Sequence, residues 1–269
     1  MRSPIRWFGG KHYLAPLIIN LMPPHTCYVE PFGGGANVIA QKPPVEVEVF
    51  NDIDEDLINF LMVLRSDPEK LVRVLETIPY SIALFERMKW EEKPNDPFER
   101  AVNWFYVMRS SICFSNNHKS GWRRSNQRNS ARDYQSAVKG LLSFAKRFRT
   151  VMIERRDFRE IISFYDSPET LFYVDPPYRG REFRYKGGFA DQDHIDLAET
   201  LMRIKGKAIV SYYEDELINQ LYQEWRKIEV GTKKMSVVIG KGEGIERPAA
   251  TELLYMNYSD NQMSIFEIC

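Results

Sequence analysis

The run Leu171-Phe172-Tyr173-Val174-Asp175-Pro176-Pro177-Tyr178-Arg179-Gly180 decides the fold that we expect for this chain. Its first four residues are β-branched, aromatic or otherwise apolar, which predicts a buried strand. The strand must end at Asp175, because the two prolines that follow cannot donate hydrogen bonds to a sheet. In an open α/β sheet, ligands bind outside the carboxyl ends of the strands. The pattern therefore predicts that Asp175 and Tyr178 stand at a binding site.

The residues from Asp175 to Tyr178 suit an amino group attached to an aromatic ring. Such an amine is a poor nucleophile, because its lone pair is conjugated into the ring, unless both of its N–H groups are held. The Asp175 carboxylate can accept one hydrogen bond and the Pro176 carbonyl the other, since proline offers an acceptor without a neighbouring N–H. Tyr178 can stack on the ring, as aromatic residues do with extruded bases. The alternative is an Asp-Pro-Pro turn that closes a strand, with Tyr178 packed locally.

The composition of the 269-residue chain predicts one large α/β domain or a core with a smaller inserted one. The 37 basic and 37 acidic side chains cancel, so the net charge indicates no partner. We find neither an apolar run near the ~20 residues that cross a bilayer nor a secretory signal, so we expect no membrane partner. Cys27, Cys113 and Cys269 are too scattered for a disulfide framework or a zinc site, which favours the reducing cytoplasm. No His/Cys/carboxylate cluster suggests a metal.

A glycine turn near the amino terminus predicts a nucleotide-binding element. The run Cys27-Tyr28-Val29-Glu30-Pro31-Phe32-Gly33-Gly34-Gly35 predicts a strand and a tight turn, and we expect a helix to begin near Asn37. The pattern is neither that of dinucleotide enzymes nor a P-loop, which argues against NAD and ATP. Upstream, the run Trp7-Phe8-Gly9-Gly10-Lys11 allows close backbone approach and offers a cation. A turn before a helix over residues 12–21 is the simpler interpretation of that run.

The next predicted strand, residues 45–51, alternates apolar and acidic side chains, as a strand with one buried face does. It ends at Asn51-Asp52-Ile53-Asp54, where an acidic residue is placed to hold a ribose diol. Both Asp52 and Asp54 are candidates for that role. The alternative for either is to cap a helix over residues 55–64.

Residues 60–148 have helical periodicity and contain a basic polar stretch. The apolar stripe from Tyr134 to Phe148 is the clearest helical pattern. No acidic residue lies between Glu99 and Asp133, and the intervening stretch combines Arg, Lys, Asn, Gln and Ser with a tryptophan that we expect to be exposed, Trp122. Such side chains contact phosphates and base edges, so the stretch predicts a nucleic-acid interface. The alternative is a solvated loop. The expected contact residues are Lys119, Trp122, Arg123, Arg124, Asn126, Arg128 and Arg132.

The sheet is expected to resume with strands at residues 151–154 and 171–174. Asp157, after the first of them, can hydrogen-bond an adenine amino group with Phe158 against the ring, or it can cap the helix that follows. After Tyr178 comes a basic and aromatic loop that can clamp a nucleic-acid strand or act as a lid. Its candidate contacts are Arg184, Tyr185 and Lys186. Helices over 191–204 and 215–225, a strand at 208–211 and a hairpin of 237–240 with 251–257 complete the expected fold.

The order of these motifs resembles the Dam-type (D12 class) DNA adenine-N6 methyltransferases, and the match spans nearly the whole chain. The closing run Glu252-Leu253-Leu254-Tyr255-Met256-Asn257-Tyr258 is similar to that family's last strand. The resemblance implies an α/β, Rossmann-like S-adenosylmethionine-dependent methyltransferase core with a mostly parallel sheet and a C-terminal antiparallel hairpin. It implies that residues 1–59 and 149–269 form this core, and that 60–148 form an inserted, mainly helical target-recognition domain.

The resemblance also implies roles for individual residues. Double-stranded DNA is the implied partner, S-adenosylmethionine the cofactor without a metal, and flipping of the target adenine the means of access. Asp52 is then favoured over Asp54 for the ribose. The implied catalytic residues are Asp175, Pro176, Pro177 and Tyr178. The implied cofactor-binding residues are Trp7, Lys11, Glu30, Phe32, Gly33, Gly35, Asp52, Ile53, Asp157, Phe158 and Asp175.

The chain departs from the family's pattern in the basic stretch. Ser111-Ile112-Cys113-Phe114-Ser115 and Gly121-Trp122-Arg123-Arg124-Ser125 replace the segments typical of members that read GATC, so that recognition sequence is not expected to carry over. Cytosine-N4 enzymes more typically carry Ser before the two prolines, and enzymes for rRNA or protein glutamine Asn, so Asp175 favours adenine in DNA. The alternatives are one of those other amino-group substrates, or a catalytically silent DNA-binding relative. We expect a monomer.

Overall fold

The computed structural model describes residues 1–114, 120–234 and 249–259. Within these ranges, seven strands form one sheet, with helices on both of its faces. The strands are β1 (Cys27–Glu30), β2 (Val47–Asn51), β3 (Met152–Glu154), β4 (Thr170–Val174), β5 (Lys207–Tyr213), β6 (Arg226–Lys234) and β7 (Ala249–Met256). The helices are α1 (Ala15–Asn20), α2 (Glu55–Ser66), α3 (Pro68–Thr77), α4 (Ile82–Trp90), α5 (Pro97–Ser110), α6 (Ser130–Arg147), α7 (Phe158–Tyr165), α8 (Asp191–Met202) and α9 (Glu216–Leu221).

The sheet has the strand order β3-β2-β1-β4-β5-β7-β6. The first five strands in this order pair in parallel, while β7 runs antiparallel to both of its neighbours, β5 and β6. The chain moves outward from β1 to β3 and then returns to the other side of β1 with β4. This change of direction leaves a crevice beyond the carboxyl ends of β1 and β4, where open α/β sheets bind their ligands. The mostly parallel sheet with a terminal antiparallel pair confirms the predicted fold class.

Alternating side chains of the strands build a hydrophobic core on each face of the sheet. In β4, Leu171 and Tyr173 enter one core, whereas Phe172 and Val174 enter the other. All four are almost fully buried, which explains why this strand is a continuous apolar run rather than an alternating one. The core that contains Leu171 also includes the buried side chains of α2 to α6.

Helices α2 to α6 fill the chain between β2 and β3. Four of them begin at side-chain caps, in which Asp54, Asp67, Asp96 and Asn129 each accept a hydrogen bond from a backbone N–H of the first turn. These helices share a continuous core with the sheet. No helix in the described ranges is both long enough and apolar enough to span a lipid bilayer.

One local prediction is wrong, and one strand was not predicted. The helix expected near Asn37 is a series of turns, because Ala36 has a left-handed φ of 51° and Pro43 follows seven residues after Ala36, which leaves no room for a regular helix. The first strand of the terminal hairpin is β6 (Arg226–Lys234), whose mixed charged and apolar residues concealed it. The strand expected at 237–240 lies outside the described residues. Its partner, expected at 251–257, is confirmed as β7.

Candidate active site

A cavity opens where β1, β2 and β4 end. Its floor contains the last residue of β1, Glu30, and the residues that follow β2 and β4, Asp52 and Asp175. The glycine turn 33–35 forms one side, and segment 185–189 forms the other. Of the residues expected to bind a cofactor, all contribute to the cavity wall: Trp7, Lys11, Glu30, Phe32, Gly33, Gly35, Asp52, Ile53, Asp157, Phe158 and Asp175.

The glycine turn is tight because two aromatic rings press against it. A Cβ atom at Gly33 would lie 2.2 Å from the ring of Phe50, and one at Gly34 would lie 2.8 Å from the indole of Trp7. Gly34 also has a left-handed φ of 45°, which glycine adopts without strain. The Trp7 ring in turn contacts Trp104 of α5, at 6.4 Å between ring centroids. Backbone therefore replaces side chains on this wall of the cavity.

Asp52 and Asp54 have different roles in the structure. Asp54 caps α2, accepting a hydrogen bond from the Asp56 N–H. Both residues line the cavity, and the Asp52 carboxylate accepts hydrogen bonds from the N–H groups of Gly34 at 2.8 Å and of Asp54 at 2.9 Å. Burial, opposed by these hydrogen bonds and assisted by the charge of Asp54, raises the pKa of Asp52 to about 6. Asp52 is therefore held in a fixed orientation at the cavity.

Three phenylalanines form an aromatic wall. Phe158 lies 5.4 Å from Phe32 and 5.7 Å from Phe189, measured between ring centroids. Asp157 lies beside them and caps α7, as one of the two interpretations predicts. Its carboxylate also accepts hydrogen bonds from the guanidinium of Arg159, at 3.1 and 3.2 Å. The ion pair balances the charge of Asp157 and fixes its orientation at the cavity wall. The placement of Phe189 in this wall was not predicted. The only signal for it in the sequence is its position directly after Gly187-Gly188 in the basic loop.

Lys11 and Asp175 form a buried ion pair beside the cavity. The Lys11 Nζ lies 2.7 and 2.8 Å from the two carboxylate oxygens of Asp175, and it also donates to the Gly9 carbonyl at 3.1 Å. Although burial opposes the charged form, the carboxylates of Asp175 and Glu252 raise the pKa of Lys11. Burial also raises the pKa of Asp175, with Lys11 opposing that change. The side chain of Asp175 remains 20% exposed, enough to meet a ligand.

Tyr178 is more deeply buried than stacking on a substrate base requires. Its ring is 6% exposed, with the Lys11 ammonium 4.8 Å from the ring centroid and the edge of Tyr213 4.5 Å away. Its hydroxyl lies 2.8 Å from the Ser211 Oγ and donates to Glu252 at 3.1 Å. Pro177 lines the cavity, while Tyr178 supports Lys11 from outside its wall.

Glu30, at the end of β1, is a buried acid whose hydrogen bonds come from uncharged donors. It is 2% exposed, and its Oε1 accepts hydrogen bonds from the Tyr28 hydroxyl at 2.8 Å and the Ile39 N–H at 2.7 Å. Burial outweighs these two bonds and raises the pKa of Glu30 to about 8. Its carboxyl group is therefore predominantly protonated at neutral pH, an uncharged wall at the base of the cavity.

The basic loop after Tyr178 folds over the cavity. Lys186 reaches across to the start of α2, where its Nζ lies 2.8 Å from Asp54 and 2.6 Å from Asp56. Although burial favours the neutral acid, the cations around Asp56 hold the pKa of this carboxyl below its usual range. Tyr185 also lines the cavity, and the Arg184 guanidinium stacks 4.4 Å from the centroid of Phe8. Tyr185 and Lys186, expected at a DNA interface, form a roof over the cavity, while Arg184, expected there as well, contacts Phe8 of the cavity wall.

The basic stretch divides into a packed part and an exposed part. Trp122, expected to be exposed, is half-buried, with its ring 5.4 Å from that of Tyr80, and Arg123 forms an ion pair with Asp133 at 2.9 Å. An open groove lies beside Trp122, lined in part by Tyr80 and by residues 124–131. The exposed members are Arg124, Asn126, Arg128 and Arg132; Lys119 lies outside the described residues. Within the described part of the chain, no acidic side chain is in ion-pair distance of those three arginines.

Comparison with known proteins decides the family. Residues 7–237 match the family model described as D12 class N6 adenine-specific DNA methyltransferase, which is most of the chain. The chain belongs to this family. Among similar proteins is the Type II methyltransferase M.MjaIII of Methanocaldococcus jannaschii, 24% identical over 94% of this chain and 98% of the relative.

Two further relatives carry the name DNA adenine methylase. That of Haemophilus influenzae is 23% identical, over 85% of this chain and 86% of its own. That of Escherichia coli K12 is 23% identical over 94% of each. The D12 class thus confirms the predicted family and the class of enzyme, an adenine-specific DNA methyltransferase.

The D12 family match ends at residue 237, before β7. Glu252 of β7 nevertheless contacts the centre of the site, because its carboxylate lies 3.2 Å from Lys11 Nζ. Sequence reasoning missed this contact. The available signal was an acidic residue within an otherwise apolar strand, since Glu252 is followed by Leu253, Leu254 and Tyr255.

Proposed function

We propose that this protein transfers a methyl group from S-adenosylmethionine to N6 of an adenine flipped out of double-stranded DNA at a specific site. The observation that carries the proposal is the position of Asp175. This carboxylate ends β4, is oriented through both oxygens by Lys11, and faces a cavity made by the glycine turn and Asp52. Those are the elements that an amino-group methyltransferase needs beside each other.

Asp175 and Pro176 supply the grip on the target amine. The Asp175 carboxylate accepts one N6–H, and the Pro176 carbonyl accepts the other. Two acceptors draw the amine nitrogen away from conjugation with the ring and direct its lone pair toward the cavity. Because the ammonium of Lys11 is already in place, little reorganisation is needed when the base arrives. Tyr178 supports this arrangement, with its buried ring against Lys11.

The residues of the cavity fit S-adenosylmethionine. Asp52 is an oriented carboxylate suited to a ribose diol, and the wall of Phe32, Phe158 and Phe189 suits an adenine ring. The backbone of the glycine turn gives room for a chain that carries charged groups. The cofactor supplies an activated methyl group, because its sulfonium sulfur is a good leaving group. The protein mainly contributes position and electrostatics.

The exposed arginines of residues 124–132 supply a DNA surface. Arg124, Arg128 and Arg132 are cations beside the groove next to Trp122, and phosphate contacts of this kind dominate the affinity of proteins for DNA. Asn126 adds a side chain that can read a base edge. Extrusion of the adenine costs a few kcal/mol, which stacking and phosphate contacts offset.

The test is methyl transfer by Asp175→Ala. We expect wild-type protein to move tritium from labelled S-adenosylmethionine into DNA, and this variant to lose that activity while keeping its circular dichroism spectrum. Asp67→Asn is the matched control, since Asn caps α3 as well as Asp does. Hydrolysis of the product to nucleosides identifies the base. Methyl transfer by Asp175→Ala, or label in cytosine, contradicts the proposal. Label that appears only in RNA would show that the substrate is RNA rather than DNA.

A further inference from the structure

Glu252 brings three groups of the active site together at one oxygen. It lies on β7, opposite Tyr213 of β5, and is 2% exposed. Its Oε1 accepts hydrogen bonds from the Tyr178 hydroxyl at 3.1 Å and from the Ser211 hydroxyl at 3.2 Å, and lies 3.2 Å from Lys11 Nζ. Burying a carboxylate to this extent costs free energy unless cations and hydrogen-bond donors contact it with good geometry.

The Lys11 ammonium is held from three directions. Its three N–H donors meet the Gly9 carbonyl, the Asp175 carboxylate and, at 3.2 Å, the Glu252 carboxylate. These acceptors come from the amino-terminal segment, from the end of β4 and from β7. Glu252 also accepts a hydrogen bond from the Tyr178 hydroxyl. It therefore connects both ends of the run from Asp175 to Tyr178, one through Lys11 and one directly.

We propose that Glu252 is a positioning residue for methyl transfer, which sets the place of the Lys11 ammonium and of the Tyr178 hydroxyl and thereby the orientation of Asp175. The inference rests on the proposed function. Without the charge of Glu252, the ammonium loses one of its three acceptors and is held by Asp175 and the Gly9 carbonyl alone, which changes the position in which the Asp175 carboxylate meets the amine N–H. Glu252 does not line the cavity, so we expect its effect on the rate of transfer rather than on cofactor binding.

The decisive substitution is Glu252→Gln. Glutamine keeps the size and one acceptor oxygen, so Tyr178 and Ser211 retain a partner, but the charge that attracts Lys11 is lost. We expect the single-turnover rate of methyl transfer to fall by about 10²-fold, as for a misplacement of reacting groups by ~1 Å, with cofactor affinity changed by less than about twofold. Glu229→Gln, an exposed site on the neighbouring β6, is the matched control and should leave both quantities unchanged.

A double-mutant cycle with Lys11→Met distinguishes a positioning role of Glu252 through Lys11 from a non-specific disturbance of the structure. If Glu252 acts through Lys11, Glu252→Gln should cost less than about threefold in rate when Lys11 is already Met. Equal losses in the two backgrounds, or an unchanged rate for Glu252→Gln alone, would overturn the inference. So would a loss of cofactor affinity, which assigns Glu252 to the binding wall.

Two further results keep the outcomes distinct. If Glu252→Gln lowers the melting temperature too far to assay, Glu252→Asp takes its place, because it keeps the charge but shortens the reach. It must slow transfer as well, and a normal rate would exclude the role. Wild-type protein that methylates no DNA refutes the proposed function and this inference together, whereas active wild type with an unaffected Glu252→Gln refutes only the inference.

Discussion

The substitution Glu30→Gln should change how the stability of the protein depends on pH. Glu30 is buried at the base of the cavity, and its pKa of about 8 in the folded protein contrasts with the ordinary value of 4.5. Between these values the unfolded chain has lost the Glu30 proton while the folded protein retains it. Stability from this group is therefore fully present below about pH 4.5 and is lost as the pH rises toward about 8.

The size of the effect follows from the same two values. Each pH unit in this window costs the folded state about 1.4 kcal/mol, so a rise from about pH 5.5 to about pH 7.5 should cost about 3 kcal/mol. Glutamine at this position can keep an acceptor for the Tyr28 hydroxyl and the Ile39 N–H and does not titrate. The difference in stability between Glu30→Gln and wild type should therefore grow by about 3 kcal/mol in favour of the variant.

Urea denaturation at a series of pH values, followed by circular dichroism without cofactor, measures this difference. Subtracting wild type from variant at each pH removes the contributions of all other titrating groups. Glu46→Gln is the matched control, because Glu46 is an exposed carboxylate just before β2, and its difference from wild type should stay constant. A constant difference for Glu30→Gln as well would refute the assignment of a protonated Glu30.

Three other perturbations have defined outcomes. Lys186→Met removes the ion pairs that fasten the roof of the cavity and should speed cofactor dissociation about tenfold, measured by stopped-flow fluorescence; an unchanged rate would show that the roof is held by other contacts. Replacing Arg124 and Arg128 by Ala should make the slope of log affinity for DNA against log salt less steep by about 1.8, as for two lost phosphate contacts, and an unaltered slope excludes them from the interface. Gly34→Ala should cost about 3 kcal/mol in urea denaturation, because its φ of 45° disfavours Ala and the new Cβ would meet Trp7 at 2.8 Å; a cost below about 1 kcal/mol would mean that the turn relaxes freely.

The sequence predicts those parts of the site that depend on chain order. Asp175 follows an apolar strand and precedes two prolines, so local rules predict that it lies at the carboxyl end of that strand. The structure places it there, directly after β4. The choice between Asp52 and Asp54 could not be made locally, because either can cap α2. The structure shows only that their contacts differ, since Asp54 caps α2 and Asp52 binds the Gly34 N–H of a turn eighteen residues away in the chain.

The parts that could not be predicted depend on contacts across the fold. The basic loop after Tyr178 has the composition of a DNA contact, and only its folded path shows Lys186 turned inward to Asp54 and Asp56. Trp122 was likewise expected to be exposed because of its polar neighbours, whereas its ring packs on Tyr80. In both cases the deciding partner is distant in sequence, and periodicity carries no information about such partners.

The placement of β7 between β5 and β6 has a consequence for biosynthesis. Lys11 and Glu252 meet at 3.2 Å although 240 residues separate them in the chain, so the ribosome delivers Lys11 long before Glu252. Until β7 inserts, β5 lacks its antiparallel neighbour and Lys11 its third acceptor. A nascent chain can therefore fold its parallel strands while the contacts of Lys11 are still incomplete, and these contacts are completed only when β7 inserts.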